Sequence, residues 1–226
     1  MRHIELREAF TLRDPTGQYF RASLKELTPT ASPTAGLAIP YEQMPRSPEP
    51  TVEITLACSI LARQRMIFVM QKATELGVSR IVPLLTDHSV PVEGLDHERA
   101  GSWPSQVVRA AKQCRRASLP HLLTPTTLDA FLTSPDFQSA DICMMLDDRT
   151  PSSPPPTAPP TIPPRHIVLL VGPEGGFSDT ERSLLANQTH PKKIHTWFLG
   201  GRILRAETAV LVGLTATQLL WGDFAQ

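Results

Sequence analysis

The sequence predicts an α/β domain built on a mainly parallel sheet. Three observations carry this. After Pro50, β-rich apolar runs alternate with stretches whose apolar residues recur at helical spacing. One run, His166–Val171, is apolar along nearly its whole length, as a parallel strand covered on both faces requires. Two glycine-containing segments each lie between a strand end and a helix start, the place where open α/β folds bind ligands.

The elements follow in order. Polar and apolar residues alternate over residues 1–50, and Asp14-Pro15-Thr16-Gly17 is a turn signal, so short strands are expected at Ala9–Arg13 and at 18–24. Residues 28–50, rich in Pro, Thr and Ser, read as loop. Strands are expected at 52–58, Arg80–Leu85, 141–146, His166–Val171 and 194–199. A helix is expected at 64–76, where Met66, Val69, Met70, Ala73 and Leu76 share a face and Gly77 supplies the stop. A second helix is expected within 98–115, starting near Trp103-Pro104. Ser178 and Glu181 form the signature of a capping box, which starts a helix over 178–187. A long helix over 205–221 closes the chain.

Composition narrows the class. At 41% hydrophobic and 19% charged residues, the chain is that of an ordinary globular protein. No apolar run reaches the roughly 18–20 residues that a transmembrane helix needs, and the N-terminus has no apolar signal region. Cys58, Cys114 and Cys143 form no CxxC pair and no zinc spacing. A reduced, cytoplasmic chain without a metal centre is therefore expected. The 22 basic and 22 acidic residues cancel, so any nucleic-acid surface must be a local patch. Arg109, Lys112, Arg115 and Arg116 supply one such patch on and just beyond the second helix. Arg63, Arg65 and Lys72 form a weaker one. Both read equally as solvated helix faces.

Many of the 23 prolines fall in residues 150–164. Proline donates no backbone hydrogen bond, so this stretch reads as an extended linker. A ligand for a proline-recognition module is the alternative.

The chemistry is expected in the two glycine segments, Gly172-Pro173-Glu174-Gly175-Gly176-Phe177-Ser178 and Leu199-Gly200-Gly201-Arg202-Ile203-Leu204-Arg205-Ala206-Glu207-Thr208-Ala209. Glycine lets backbone approach a ligand closely and adopt positive φ. Taken singly, the first reads equally as a tight turn, and Glu207 as an acid favoured by a helix dipole. A phosphate loop is disfavoured, because no Lys-Ser/Thr pair follows the glycines.

Together the two segments resemble the signature of the ribosomal small-subunit methyltransferase E family. Gln71-Lys72-Ala73-Thr74-Glu75-Leu76-Gly77-Val78, Gln113-Cys114 with Arg116, and Gly222-Asp223 resemble further family motifs in the same order. The resemblance implies a SPOUT-type trefoil-knotted methyltransferase domain over 49–226. It also implies a partial PUA-like β-domain over 1–48 that binds RNA, with the chain starting inside that domain. It implies S-adenosylmethionine (SAM) as cofactor, N3 of a uridine in 16S ribosomal RNA of the small subunit as the methyl acceptor, and a homodimer. The chain departs from the family pattern at His88, Lys112, Arg115 and Gly201.

Carried over, the cofactor residues are Leu170, Val171, Gly172, Glu174, Gly175, Gly176, Leu199, Gly200, Arg202, Ile203, Leu204 and Ala206. Glu174 and Glu207 are candidate proton acceptors, and Arg205 or Arg202 a candidate anion stabiliser. Arg109, Lys112, Arg115, Arg116 and Lys72 are candidate phosphate contacts. Two other readings stay open. One is a SPOUT enzyme acting on another RNA target such as a ribose 2′-oxygen, and the other is a non-catalytic SAM- or RNA-binding protein.

Overall fold

The structure is a computed structural model that describes residues 4–28, 35–90, 102–147, 163–188 and 194–224. The chain divides into two compact units: Met1–Glu49 with Ala111–Leu119, and Pro50–Ala110 with Pro120–Gln226.

The first unit holds an antiparallel sheet of order β1-β2-β3: β1 (Ala9–Arg13), β2 (Tyr19–Thr28) and β3 (Ala35–Gln43). The Asp14 carboxylate builds the β1–β2 turn by accepting from the Gln18 amide and the Thr16 hydroxyl, both at 2.8 Å. Strand β3 overturns the expected loop over 28–50. Its proline sits where the ladder shifts register: Ala22 faces Pro40 and Arg21 faces Glu42, which leaves Tyr41 as the extra residue. A bulge is where a strand tolerates a residue without an N–H.

Residues Ala111–Leu119 also belong to this unit, although the sequence places them with the second domain. Their polar backbone explains it. The Glu49 carboxylate accepts from the Ala117 and Ser118 amides and from the Arg116 guanidinium. The Thr11 hydroxyl donates to the Arg115 carbonyl at 2.8 Å.

The second unit is a seven-stranded sheet of order β10-β8-β9-β4-β5-β6, with β7 also on β5, and every pairing is parallel. In chain order it contains β4 (Glu53–Ser59), α1 (Arg63–Glu75), β5 (Arg80–Leu85) and α2 (Trp103–Gln113), whose last turn belongs to the first unit. Then come β6 (His121–Leu122), β7 (Thr126–Thr127), α3 (Leu128–Leu132), α4 (Pro135–Gln138) and β8 (Ile142–Asp147). The unit ends with β9 (His166–Val171), α5 (Asp179–Ala186), β10 (Ile194–Phe198) and α6 (Ala206–Trp221).

Each strand alternates its side chains between two apolar layers. On β4, Ile54, Leu56 and Cys58 join Met66 and Met70 of α1 and Val210 and Leu214 of α6. Ala57 faces the other way, into a layer with Phe131, Phe137 and Leu185. Gly77 stops α1 as expected, at φ 83°. The capping box of Ser178 and Glu181 is present at the start of α5. The proline stretch 150–164 lies outside the described residues except for Pro163 and Pro164, and so do residues 98–101; helix α2 starts at Trp103, where the sequence placed its start.

Candidate functional site

The strand order sets β10, β8 and β9 side by side, so their C-terminal ends, Phe198, Asp147 and Val171, meet at one edge. Loop 172–178 leaves β9 there and loop 199–205 leaves β10. Between them lies a cleft of about 360 Å³. This is the ligand position that an open α/β sheet provides.

Both loops have conformations set by glycine. In the first, the Gly176 amide donates to the Pro173 carbonyl at 2.9 Å, closing a turn that Gly176 leaves at φ 69°. A Cβ there would also stand 3.0 Å from the Arg182 guanidinium. Two outside groups hold the turn. His88 Nδ1 lies 3.0 Å from the Gly176 carbonyl, and the Ser178 hydroxyl donates to the Asp87 carboxylate. In the second loop Gly200 has φ 100° with open space around it, so conformation alone demands glycine.

Charges line the cleft in two pairs. Arg65, projecting from α1, donates to Glu174 at 2.6 Å, and its Nε lies 3.8 Å from the Glu207 carboxylate. The hydrogen bond to Glu174 and then that residue's charge hold the guanidinium above its ordinary value; burial opposes them, and the charge of Glu207 adds a lesser push upward. Deeper in, Arg182 donates to Asp147 and, through Nε, to the Phe177 carbonyl at 2.9 Å. Cys58 is sealed beneath the sheet end. Burial, then the charge of Glu174, pushes its thiol up to about 12, so it is no nucleophile at neutral pH.

Of the residues expected to hold a cofactor, Val171, Gly172, Glu174, Gly175, Gly176, Leu199, Gly200, Arg202, Ile203, Leu204 and Ala206 all line the cleft, as does Arg205. Two expected site residues do not. The Leu170 side chain points into the core and is fully buried. The Glu207 side chain turns toward Arg65, with Oε2 buried and without a hydrogen-bond partner among the described residues.

Sequence reasoning left Leu146, Asp147 and Arg182, which line the cleft from outside the two glycine segments, out of the site, and read Arg65 only as part of a basic group. Asp147 had a signal: an acid directly after an apolar run marks a strand's C-terminal end. Arg182 and Arg65 sit on amphipathic helices and carry no such mark.

The basic residues are placed differently. Arg109 is exposed on α2. Helix α2 ends at Gln113 and Arg115 adopts φ 62°, so Arg116 leaves the helical face that a continued helix would give it. Lys112 pairs with Glu8, Arg115 with Glu42 at 3.4 Å, and Lys72 with Glu75 at 2.7 Å. Arg116, whose side chain is only 4% exposed, pairs with Glu49 at 2.8 Å. Among the described residues no group of three or more His, Cys, Asp or Glu could hold a metal. Among them, too, no helix is long and apolar enough to cross a membrane.

A parallel sheet with a glycine-walled cleft at its strand ends belongs to the open α/β class, whose ligands bind at that edge. The family model for the RNA methyltransferase domain matches residues 47–218, and the chain belongs to that family. It is 28% identical over 191 residues to the ribosomal RNA small subunit methyltransferase E of Rickettsia conorii, covering 81% of this chain and 71% of that one. Among solved structures, the ribosomal RNA small subunit methyltransferase E of Neisseria gonorrhoeae, bound to SAM, superposes with a TM-score of 0.71 at 30% identity. That likeness covers 98% of this chain and 86% of the other. A putative methyltransferase of Legionella pneumophila, also with SAM bound, gives a TM-score of 0.71 at 29% identity, covering 97% and 86%.

Proposed function

We propose that the chain is a SAM-dependent methyltransferase acting on N3 of a uridine in 16S ribosomal RNA. The observation that carries this is the cleft where β8, β9 and β10 end, walled by the two glycine loops. It is supported by similarity over nearly the whole chain to two SAM-bound proteins. The lining fits the cofactor. Leu199, Ile203, Leu204 and Phe177 offer apolar surface for an adenine, and loop amides offer hydrogen bonds to its edge.

SAM supplies an electrophilic methyl group on a sulfonium cation. The protein's part is mostly positioning and proton management. Uridine N3 is protonated near neutral pH, so its proton must leave as the methyl arrives. Glu174, in the cleft wall, takes that proton on its carboxylate, and Arg65 holds Glu174 in place. Arg202 and Arg205, exposed at the same cleft, stabilise the negative charge that spreads onto the uracil oxygens. Glu207 acts through Arg65 as a positioning residue. The target base must be unpaired or extruded to reach the cleft.

The wider reading follows the family resemblance: a SPOUT-type knotted domain, a partial PUA-like sheet that binds RNA, a cytoplasmic location and a homodimer. Val212, Leu219 and Leu220, 37–53% exposed on α6, are apolar surface that a second copy would cover. Arg109, Lys112, Arg115 and Lys72 contact phosphates in this reading. Exposed ion pairs are worth little, so Lys112 and Arg115 can exchange a carboxylate for a phosphate. Arg116, buried on Glu49, supports the segment that carries them.

The test is methyl transfer from labelled SAM to small ribosomal subunits lacking the modification, followed by nucleoside analysis of the RNA. The expected product is 3-methyluridine. A 2′-O-methylnucleoside would assign the other RNA target. SAM binding without transfer to any RNA would assign a non-catalytic role.

A further inference from the structure

Arg65 stands between two carboxylates and is hydrogen-bonded to only one of them. Its Nη1 donates to Glu174 at 2.6 Å, while its Nε stays 3.8 Å from Glu207 Oε1, beyond hydrogen-bond reach. The other Glu207 oxygen, Oε2, is buried and has no hydrogen-bond partner among the described residues. A buried acceptor without a donor is costly to keep. Glu207 therefore has acceptor capacity that Arg65, as placed here, does not fill.

The elements set this arrangement. Arg65 projects from the first turn of α1, which carries no acidic residue, and a cation is disfavoured at that end of a helix. It needs an anion from elsewhere. Glu174 comes from the first glycine loop and borders the cleft, with its side chain 33% exposed. Glu207 comes from the first turn of α6, the helix end that favours an anion, and its side chain is only 15% exposed.

Proton transfer upsets the balance between them. The inference rests on the reading of Glu174 as acceptor of the uridine N3 proton. In that step the N3–H proton passes to a Glu174 oxygen, the N3 electron pair forms the bond to the methyl carbon, and the methyl–sulfur pair stays on sulfur. Glu174 becomes neutral while Arg65 is bonded to it. A guanidinium does not give up its own proton, so Arg65 is left without its full counter-charge. A shift of about 1 Å would turn its contact with Glu207 into a charge-assisted hydrogen bond.

We propose that Arg65 exchanges partners during the reaction, bonded to Glu174 while that carboxylate is charged and to Glu207 once Glu174 holds the proton. Glu207 is then a positioning residue whose part is to receive Arg65. The two contacts use different corners of the guanidinium, Nη1 and Nε, so a small tilt makes one as it loosens the other.

The test uses the full chain and Glu174→Gln, whose neutral side chain of nearly the same shape stands for protonated Glu174. NMR follows the Arg65 Nε–H signal, assigned with Arg65→Lys. In Glu174→Gln this hydrogen should exchange with solvent about ten- to a hundredfold more slowly than in the wild type, the worth of one hydrogen bond to a charged group. Adding Glu207→Leu should restore fast exchange. Glu207→Leu alone should slow single-turnover methyl transfer about tenfold or more, for the same bond lost from the step, and leave SAM affinity unchanged. Where Glu207→Leu fails to fold, Glu207→Gln, which keeps the shape and removes the charge, takes its place. Arg65 exchange in Glu174→Gln equal to that of the wild type overturns the proposal. So does a wild-type transfer rate without the Glu207 carboxylate. A Glu174→Gln variant that transfers methyl at the wild-type rate overturns the reading of Glu174 as proton acceptor.

Discussion

At the scale of single residues, Arg116 separates a structural cation from its neighbours. Burial opposes charge on its partner Glu49. Hydrogen bonds from Arg116 and Ser118, together with the charge of Arg116, outweigh that burial and hold the Glu49 carboxyl below 4.5. A carboxyl depressed in the folded state adds stability above its unfolded value, and that stability is lost as pH falls through the folded value. Arg116→Ala should therefore cost about 3 kcal/mol at neutral pH in urea unfolding, and part of the acid-side loss of stability should disappear with it. Arg109→Ala, at an exposed position, should change stability by less than about 0.5 kcal/mol. Equal effects of the two substitutions would contradict this division. Sequence could not make it, because Arg109, Lys112, Arg115 and Arg116 are chemically alike. Their partners lie far away in the chain: Glu42 is 73 residues from Arg115, Glu49 is 67 from Arg116, and Glu8, the partner of Lys112, is more distant still.

At the scale of elements, β4, β5, β8, β9 and β10 of the parallel sheet were legible because each is an apolar run bounded by polar or turn residues. Helices α1, α5 and α6 were legible from periodicity and caps. Strand β3 was not, because Pro40 and Gly36 disguise it and the bulge that accommodates Pro40 is a pairing property with no local mark. Elements β6, β7, α3 and α4, two to five residues long, are too short to show a period. They also explain Pro83 in the middle of β5. The Ile81 carbonyl serves Leu123, so residue 83 faces the same side, where β6 has ended and β7 has not begun. The capping box of α5 matters beyond helix stability, because Ser178 also binds Asp87 and so fixes the first glycine loop. Ser178→Ala should lower stability by about 1 kcal/mol in urea unfolding and also weaken cofactor binding. Loss of stability with unchanged binding would show that the loop holds its shape without the cap.

At the scale of the whole molecule, both glycine loops were readable, but the cleft between them is a property of strand order. Nothing local in the sequence states that β8 lies between β9 and β10, so the mark that Asp147 carries as a strand-end acid could not be tied to the glycine loops, and Arg182 carried none. The same long-range packing sets the pH response. His166 on β9 lies 2.8 Å from the Thr55 hydroxyl and 3.1 Å from that of Ser139. Burial first, then the charge of Arg80, hold its imidazole below 6.5, while Glu53 and Asp136 oppose them. The unfolded chain then binds more protons at this site than the folded one, so stability is full above pH 6.5 and falls as pH drops from there toward the lowered folded value. Urea unfolding across that interval should show the decline in the wild type and a smaller one in His166→Gln. Identical declines would place the effect on other groups.

The central claim is that the cleft of the two glycine loops binds SAM. Calorimetric titration of SAM into the wild type and Gly200→Val tests it most directly. At φ 100° a β-branched side chain is strained, yet open space surrounds Gly200, so the substitution should deform the loop while sparing the core. One binding site per chain is expected in the wild type, and roughly five- to 150-fold weaker binding in the variant, for a strain of order 1–3 kcal/mol. Its melting temperature should stay close to that of the wild type. SAM affinity that is the same in both proteins would put the cofactor elsewhere and contradict the account.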